Sequence, residues 1–373
     1  MNRYYIQYHS QTIASLKGRK EQQTFPFDGW VVDFPKLELR IVLADSVKET
    51  ASINLHTGLN IIANLRANSV EEAKETSKNV VETILNLISF STLTHCNAAK
   101  LVSIASIVDK EPHRFTHFAY PFDGHEMMGS VRIVDEPTFR AIFEAFYESS
   151  NQQRIMRALT WLRKGIGEEN SVDEFVSYWV GLEVAKPILR RNLRRKVRNP
   201  REWDGVEDIF TGKLRFNNFG AIKKKARNGL LHGFRELDDE FMREISGYLD
   251  PIRKTLVCCI GSILGLEDNA ILTIANKTPA RIPQVWTVMD GDLRNLPRDL
   301  NELLEKYPTV DAEILNKEFS IDGSGNLSMK FTVNHHFHGP NDTKWNVKSV
   351  ELWGNREAGI QHESTGIRHV ETR

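Results

Sequence analysis

Arg227, Asn228 and His232 stand together in the run Arg227-Asn228-Gly229-Leu230-Leu231-His232, and these side-chain types can cleave RNA without a metal. RNA breaks itself when its 2′-hydroxyl loses a proton and the oxygen attacks the adjacent phosphorus. Histidine, with an unperturbed pKa of about 6.5, is the side chain best matched to that proton transfer near neutrality. Arginine cannot act as a base there, but its fork of donors can stabilise the extra negative charge on the phosphorane. Asn228 can orient the imidazole or hold a phosphate oxygen. The expected products are a 2′,3′-cyclic phosphate and a 5′-hydroxyl. DNA, lacking the 2′-hydroxyl, is expected to be inert, and this residue set calls for no metal and no other cofactor.

Helical geometry constrains how such a site is assembled. At about 100° per residue, Arg227 and His232 diverge by roughly 140° on one helix, whereas Asn228 and His232, four apart, share a face. A single helix therefore offers half a site. Two copies side by side in a homodimer double the Arg and His count in one cleft. The spacing also fits an ordinary helix end, with His232 on the last carbonyls and Arg227 in solvent. The residues alone leave both readings open.

Basic residues flank the run on the N-terminal side: Arg190, Arg191, Arg194, Arg195, Lys196 and Arg198, then Lys223, Lys224 and Lys225. Between Arg190 and Arg235 they far outnumber Glu202, Asp204, Glu207 and Asp208. Such a cluster is what an RNA-binding groove needs, and also what a solvated helix end looks like. Trp203, Phe210, Phe216 and Phe219 are interleaved, as stacking surfaces or as core. Two further clusters are incomplete: His336 and His338 alternate onto one face of an expected strand, and Asp123, His125 and Glu126 share a loop.

The elements that must position these residues follow from patterning. The chain has 373 residues, enough for two or three domains each with its own core. The fold class expected is α+β multidomain. Residues 1–135 read as an α/β domain: Leu39, Ile41, Leu43 and Ile61 to Leu65 suggest strands, and Ser69 with Glu72 has capping-box spacing ahead of a helix. Residues 136–268 read as a helical bundle. Its helices are expected from Thr138 to Tyr147 capped by Asp135, from Gln152 to Lys164, after a cap at Ser171, from Asn218 to His232, and from Leu237 to Leu266. Pro187 and Pro251 are expected to bend theirs, and a loop is expected around Pro200 and Gly205. Residues 269–373 read as β-rich, with a hairpin turn at Asp322-Gly323-Ser324-Gly325, a strand around Val347 to Trp353, and a flexible tail from His362.

Net charge excludes little: 49 Lys and Arg residues balance 49 Asp and Glu residues, so any nucleic-acid preference must be local. The start lacks a signal-peptide pattern, and the longest apolar stretch, near Leu256 to Leu266, is too short to span a bilayer; a cytoplasmic protein with no membrane contact is expected. Cys96, Cys258 and Cys259 have neither disulfide-framework nor zinc spacing, and are expected to be reduced core thiols.

Ala226-Arg227-Asn228-Gly229-Leu230-Leu231-His232-Gly233 resembles the Arg-Asn-x-x-x-His-Gly signature of the HEPN superfamily. Ala158-Leu159-Thr160-Trp161-Leu162-Arg163-Lys164-Gly165 and Phe175 through Tyr178-Trp179-Val180-Gly181-Leu182-Glu183 resemble the paired earlier helices of HEPN proteins, in particular the ApeA-like group of prokaryotic phage defence. The resemblance covers roughly residues 136 to 266. It implies a central all-α HEPN-like bundle that dimerises, with Arg227 and His232 catalytic, Asn228 supporting and Glu183 contributing a carboxylate near them. Spacing alone equally lets Glu183 pair with Lys186 or Arg190 on its own helix. The resemblance further implies an endoribonuclease in phage defence or a toxin system. A HEPN-like module that binds RNA, nucleotide or protein without cleavage is the alternative. HEPN toxins silenced by nucleotide addition carry a tyrosine two residues after the motif histidine; here that position is Phe234, which has no acceptor oxygen.

Overall fold

A computed structural model describes residues 2–16, 30–34, 37–49, 54–107, 114–117, 131–194, 197–231, 238–281, 285–294, 309–321, 327–338, 344–354, 364–365 and 371–372. The chain divides into two compact units. Met1–Val47, His56–Asp123 and Ser130–Arg281 form the first, and Lys48–Leu55, Gly124–Gly129 and Ile282–Arg373 the second. Most of segment 1–135 and all of segment 136–268, distinct in patterning, lie in the same unit and contribute to one apolar core. The class is mixed α+β.

Strict alternation builds the sheet of the first unit. In β1 (Asn2–Ser10) Tyr4, Ile6 and Tyr8 are buried, while Arg3 and Tyr5 are exposed on the opposite face. β2 (Ala14–Ser15) lies apart from β1's sheet. β3 (Trp30–Phe34), β4 (Leu39–Glu49) and β5 (Asn54–Ala67) continue the pattern, with Val32, Ile41, Leu43, Ile61 and Leu65 inward. α1 (Val70–Thr92), β6 (Lys100–Ile107) and β7 (Arg114–His117) follow, and the strand order among the described residues is β3-β4-β5-β1-β6-β7. β8 (Arg132–Ile133) pairs parallel with β2.

The capping box expected before α1 forms. Ser69 Oγ accepts from the Glu72 amide at 3.1 Å, and the Glu72 carboxylate accepts from the Asn68 amide at 2.9 Å. Every residue from Ile84 to Thr92 is buried, so the C-terminal half of α1 is central, while its first half keeps an exposed face at Glu71, Glu72, Glu75, Lys78 and Asn79. Cations meet its C-terminal carbonyls, where the helix dipole favours them: Lys277 donates to Ser91 O at 2.7 Å and Arg132 to Thr92 O at 2.9 Å.

α2 (Glu136–Glu148) starts at Asp135, whose carboxylate accepts from the Thr138 amide, and α3 (Gln152–Gly167) follows. α4 (Ser171–Leu193) begins one residue away from expectation: Asn170, not Ser171, is the cap, accepting from the Val172 amide at 2.7 Å. Glu174 is thereby free to turn inward, where it accepts from Tyr178 Oη at 2.9 Å and pairs with Arg281 at 2.7 Å. α4 runs on through Pro187.

The loop expected around Gly205 is helical instead. α5 (Asp204–Glu207) passes into a π-helical turn over Asp208–Lys213, and Val206 and Phe210, four apart, both bury. The next helix is also composite: α6 (Phe219–Ile222), a π-helical turn over Lys223–Arg227, then α7 (Asn228–Leu231). α8 (Asp239–Leu264), capped by Asp238 and ended by Gly265 at φ 74°, and α9 (Asp268–Ala275) complete the unit. α4 and α8 approach closely at Gly181, where an added Cβ would stand 2.6 Å from Leu256 Cδ2. All three cysteines are free and buried, and burial pushes the Cys258 thiol up to about 11.

The described part of the second unit is β-rich. β9 (Val285–Arg294), β10 (Thr309–Ile321), β11 (Leu327–His338) and β12 (Lys344–Gly354) pair as antiparallel ribbons, β10 with β11 and β9 with β12. Ile321 faces Leu327 across the expected hairpin, whose turn residues 322–326 lie outside the described residues. Within the tail expected to be flexible, β13 (Ser364–Thr365) adds to β12 and β14 (Glu371–Thr372) to β11.

Candidate active site

Packing of α4 against α3 and α8 fixes one wall of the site. Phe175, Tyr178, Trp179 and Leu182 are buried, and the Trp179 indole lies stacked between Phe175 and Phe219, with centroids at 5.8 and 5.9 Å. Trp203 closes the cluster at 5.1 Å from Trp179. The indole N–H donates to Glu183 Oε1 at 3.1 Å, one turn along α4.

The composite helix supplies the other wall. Arg227, the last residue of its π-helical turn, reaches the same Glu183 Oε1 with Nε and Nη2, both at 3.3 Å, and donates from Nη1 to Asn228 Oδ1 at 3.0 Å. Both charged side chains remain about a third exposed, 28% for Arg227 and 31% for Glu183. Glu183, Arg227 and Asn228 are thus one hydrogen-bonded group open to solvent. The i, i+3 and i, i+7 partners that spacing offered Glu183 are used elsewhere: Lys186 pairs with Glu202 at 2.6 Å, and Arg190 donates to Pro200 O. Lys186 in turn holds Glu202 below the usual carboxylate range.

A π-turn closes its hydrogen bonds at i→i+5 rather than i→i+4, which widens the helix and redirects the side chains that follow. The turn therefore shifts the direction of Arg227 relative to the residues before it, while the reckoning from Arg227 toward His232 begins where the turn ends. His232 itself lies outside the described residues, as do Arg195, Lys196 and Phe234.

The remaining basic positions differ in exposure and in what they engage. Arg191, Arg194, Arg198, Lys224 and Lys225 are exposed, while Arg190 and Lys223 are half-buried. Some are already engaged: Arg191 donates to Asn151 Oδ1 at 2.6 Å, and Lys225 pairs with Glu244 at 3.6 Å. Lys186 from α4 and Lys223 from the π-turn both sit over the Trp203 ring, at 4.6 and 5.5 Å from its centroid, and this joins the two basic segments around one aromatic. Trp203, Phe210 and Phe219 are buried and serve as core, so none of them offers a face for a base.

Asp123, His125 and Glu126 fall outside the described residues, and of His336 and His338 only the backbone is described, opposite Asp311 and Thr309. Among the described residues no group of His, Cys, Asp and Glu is arranged to hold a metal, and no helix is long and apolar enough to cross a membrane. Trp179 is the contributor that spacing alone passes over, although its four-residue offset from Glu183 is plain in the sequence.

No family model, no curated protein and no solved structure matches this chain.

Such a group can handle an anionic ligand. A phosphate entering beside Arg227 would exchange a carboxylate oxygen for its own on the guanidinium, a swap between charge-assisted bonds. The released Glu183 carboxylate, still held by the indole, is then placed to accept a proton or orient a neighbouring donor.

Proposed function

We propose that this chain is a metal-independent endoribonuclease of the HEPN type, working as a homodimer on RNA in the cytoplasm, in phage defence or a toxin system. The observation that supports this best is the convergence of Glu183 from α4 with Arg227 and Asn228 from the composite helix at a solvent-open position. In the proposed reaction His232 takes the proton of a 2′-hydroxyl, whose oxygen bonds to phosphorus. The bond from phosphorus to the 5′-oxygen breaks, and that oxygen takes a proton from the imidazole of the second copy. Arg227 stabilises the phosphorane, and Asn228 and Glu183 set the position of its guanidinium.

The test is cleavage of single-stranded RNA in excess EDTA by the purified protein, His232→Ala and Arg227→Ala. The expected result is cleavage by the parent alone, leaving cyclic-phosphate ends. Cleavage by all of them, or by none, overturns the assignment, and a protein that sediments only as a monomer at micromolar concentration removes the composite site.

One observation favours a second reading, a binding module without cleavage. The Arg227 donors already engage Glu183 and Asn228 within a single chain. Under that reading RNA binds and is recovered intact.

A further inference from the structure

The sheet of the first unit has a second face that the nuclease site does not use. Along β1, the outward residues Arg3, Tyr5, Gln7 and His9 alternate with the buried Tyr4, Ile6 and Tyr8. Arg3 stands directly opposite Arg66 of β5, and Tyr5 directly opposite Asn64. Like charges placed opposite each other across two strands repel and destabilise the pair. A sheet that keeps two guanidiniums in that register gains from an anion lying between them.

The internal carboxylates do not fill that role. Arg40 takes Asp33 for itself, with Nε at 2.7 Å and Nη2 at 3.4 Å. Glu38 is 4.0 Å from Arg66, with both side chains more than half exposed, a geometry that contributes almost nothing in water. Arg3 has no ion-pair partner among the described residues. Arg3, Arg66, Arg40, Asn64, Asp33 and Glu38 line one depression of about 580 Å³ at this end of the sheet. Beside it Tyr5 is 37% exposed, unusual for a large ring in mid-strand, and it follows Arg3 on the same face at a step of about 7 Å.

We infer that this face is a second RNA-binding site, in which Arg3 and Arg66 hold a backbone phosphate of single-stranded RNA and Tyr5 stacks the adjoining base. An arginine pair gives the charge, an exposed aromatic gives a sequence-tolerant stacking surface, and Asn64 opposite the ring can hydrogen-bond a base edge. The choice of RNA over another polyanion rests on the ribonuclease reading; the preference for an anion rests on the sheet alone. Such a site would hold a strand while another stretch of it is cut.

The experiment measures binding of a short uridine-rich 2′-O-methyl oligoribonucleotide, which cannot be cleaved, to the full chain over a salt series. Arg3→Ala/Arg66→Ala removes a repulsive pair, so its melting temperature should not fall, while affinity drops about tenfold and the salt slope shrinks by about 1.4, the value for two lost single-strand phosphate contacts. Tyr5→Leu should lose about tenfold in affinity and Tyr5→Phe should retain it. Unchanged affinity and slope in the arginine variant overturn the site, as does absence of binding by the parent. Polyglutamate competing as well as the oligonucleotide also overturns it, in favour of an acidic protein partner. Because the probe is inert to cleavage, binding without hydrolysis of ordinary RNA would sink the nuclease and leave this site standing.

Discussion

Trp179 and Glu183 share a hydrogen bond along one turn of α4, and its acceptor, Oε1, is the same oxygen that Arg227 reaches from the composite helix. The indole thus fixes where the carboxylate meets the guanidinium. Trp179→Phe keeps a ring between Phe175 and Phe219 but removes the donor. We expect a stability loss of about 1 kcal/mol by urea titration, typical of one hydrogen bond, and a several-fold fall in RNA cleavage. Wild-type cleavage by Trp179→Phe would separate the indole from the site.

Arg227→Lys retains charge and loses the planar fork that spans Glu183 and Asn228. Cleavage should fall by about two orders of magnitude, within the usual effect of removing a preorganised donor. The ion pair itself should matter little to folding. A double-mutant cycle of Arg227→Ala with Glu183→Ala should give a coupling below about 1 kcal/mol, since both groups are partly solvated. A coupling of several kcal/mol would mean that the pair is structural.

Gly181→Ala places a methyl 2.6 Å from Leu256 Cδ2 in the α4–α8 contact. Helix propensity favours alanine, so any loss reports overpacking. We expect about 1–3 kcal/mol of destabilisation, recovered in part by Leu256→Val in the same chain. Equal stability of parent and Gly181→Ala would show that Leu256 moves aside at no cost.

His95 gives a pH signature. Burial holds its imidazole below the ordinary value; the Arg163 and Arg281 charges act the same way, and hydrogen bonds to the Arg163 carbonyl and Asn97 oppose them. As pH falls past about 6.5 the unfolded chain takes the proton first. The stability from this group is therefore present above that pH and is lost as pH falls through the folded value. Melting temperatures should decline as pH falls below about 6.5, and His95→Gln should flatten that decline. Parallel curves would exclude His95 as a source.

Legibility in the sequence followed the range of the interaction. The caps at Ser69 and Asp135 are local and legible from a few residues; Asp238 is as local but lies inside the helix expected from Leu237, and Asn170 is hidden because Ser171 and Glu174 mimic a capping box while Glu174 is drawn inward by Arg281. The helical turns at Asp204–Lys213 hid behind Pro200 and Gly205, although Val206 and Phe210 bury at helical spacing. That β1 is central depends on pairing with β5 and β6, dozens of residues away, which no local pattern encodes. At the site, the nearness of Glu183 to Arg227 followed from the family resemblance, since spacing alone allowed Lys186 and Arg190 equally well.

The π-turn at Lys223–Arg227 carries a consequence for how such sites are recognised. The turn ends at Arg227 and leaves the count from Arg227 onward untouched; a count from the start of the helix to Arg227 assumes an even screw, and a turn that closes one residue late behaves there as an insertion spread over its neighbours. Two chains can then share a cleft while their spacings differ by one, and others can share the spacing while their side chains point apart. Deleting a single lysine ahead of Arg227 should restore the even screw and swing the guanidinium away from Glu183, with every residue of the motif still in place.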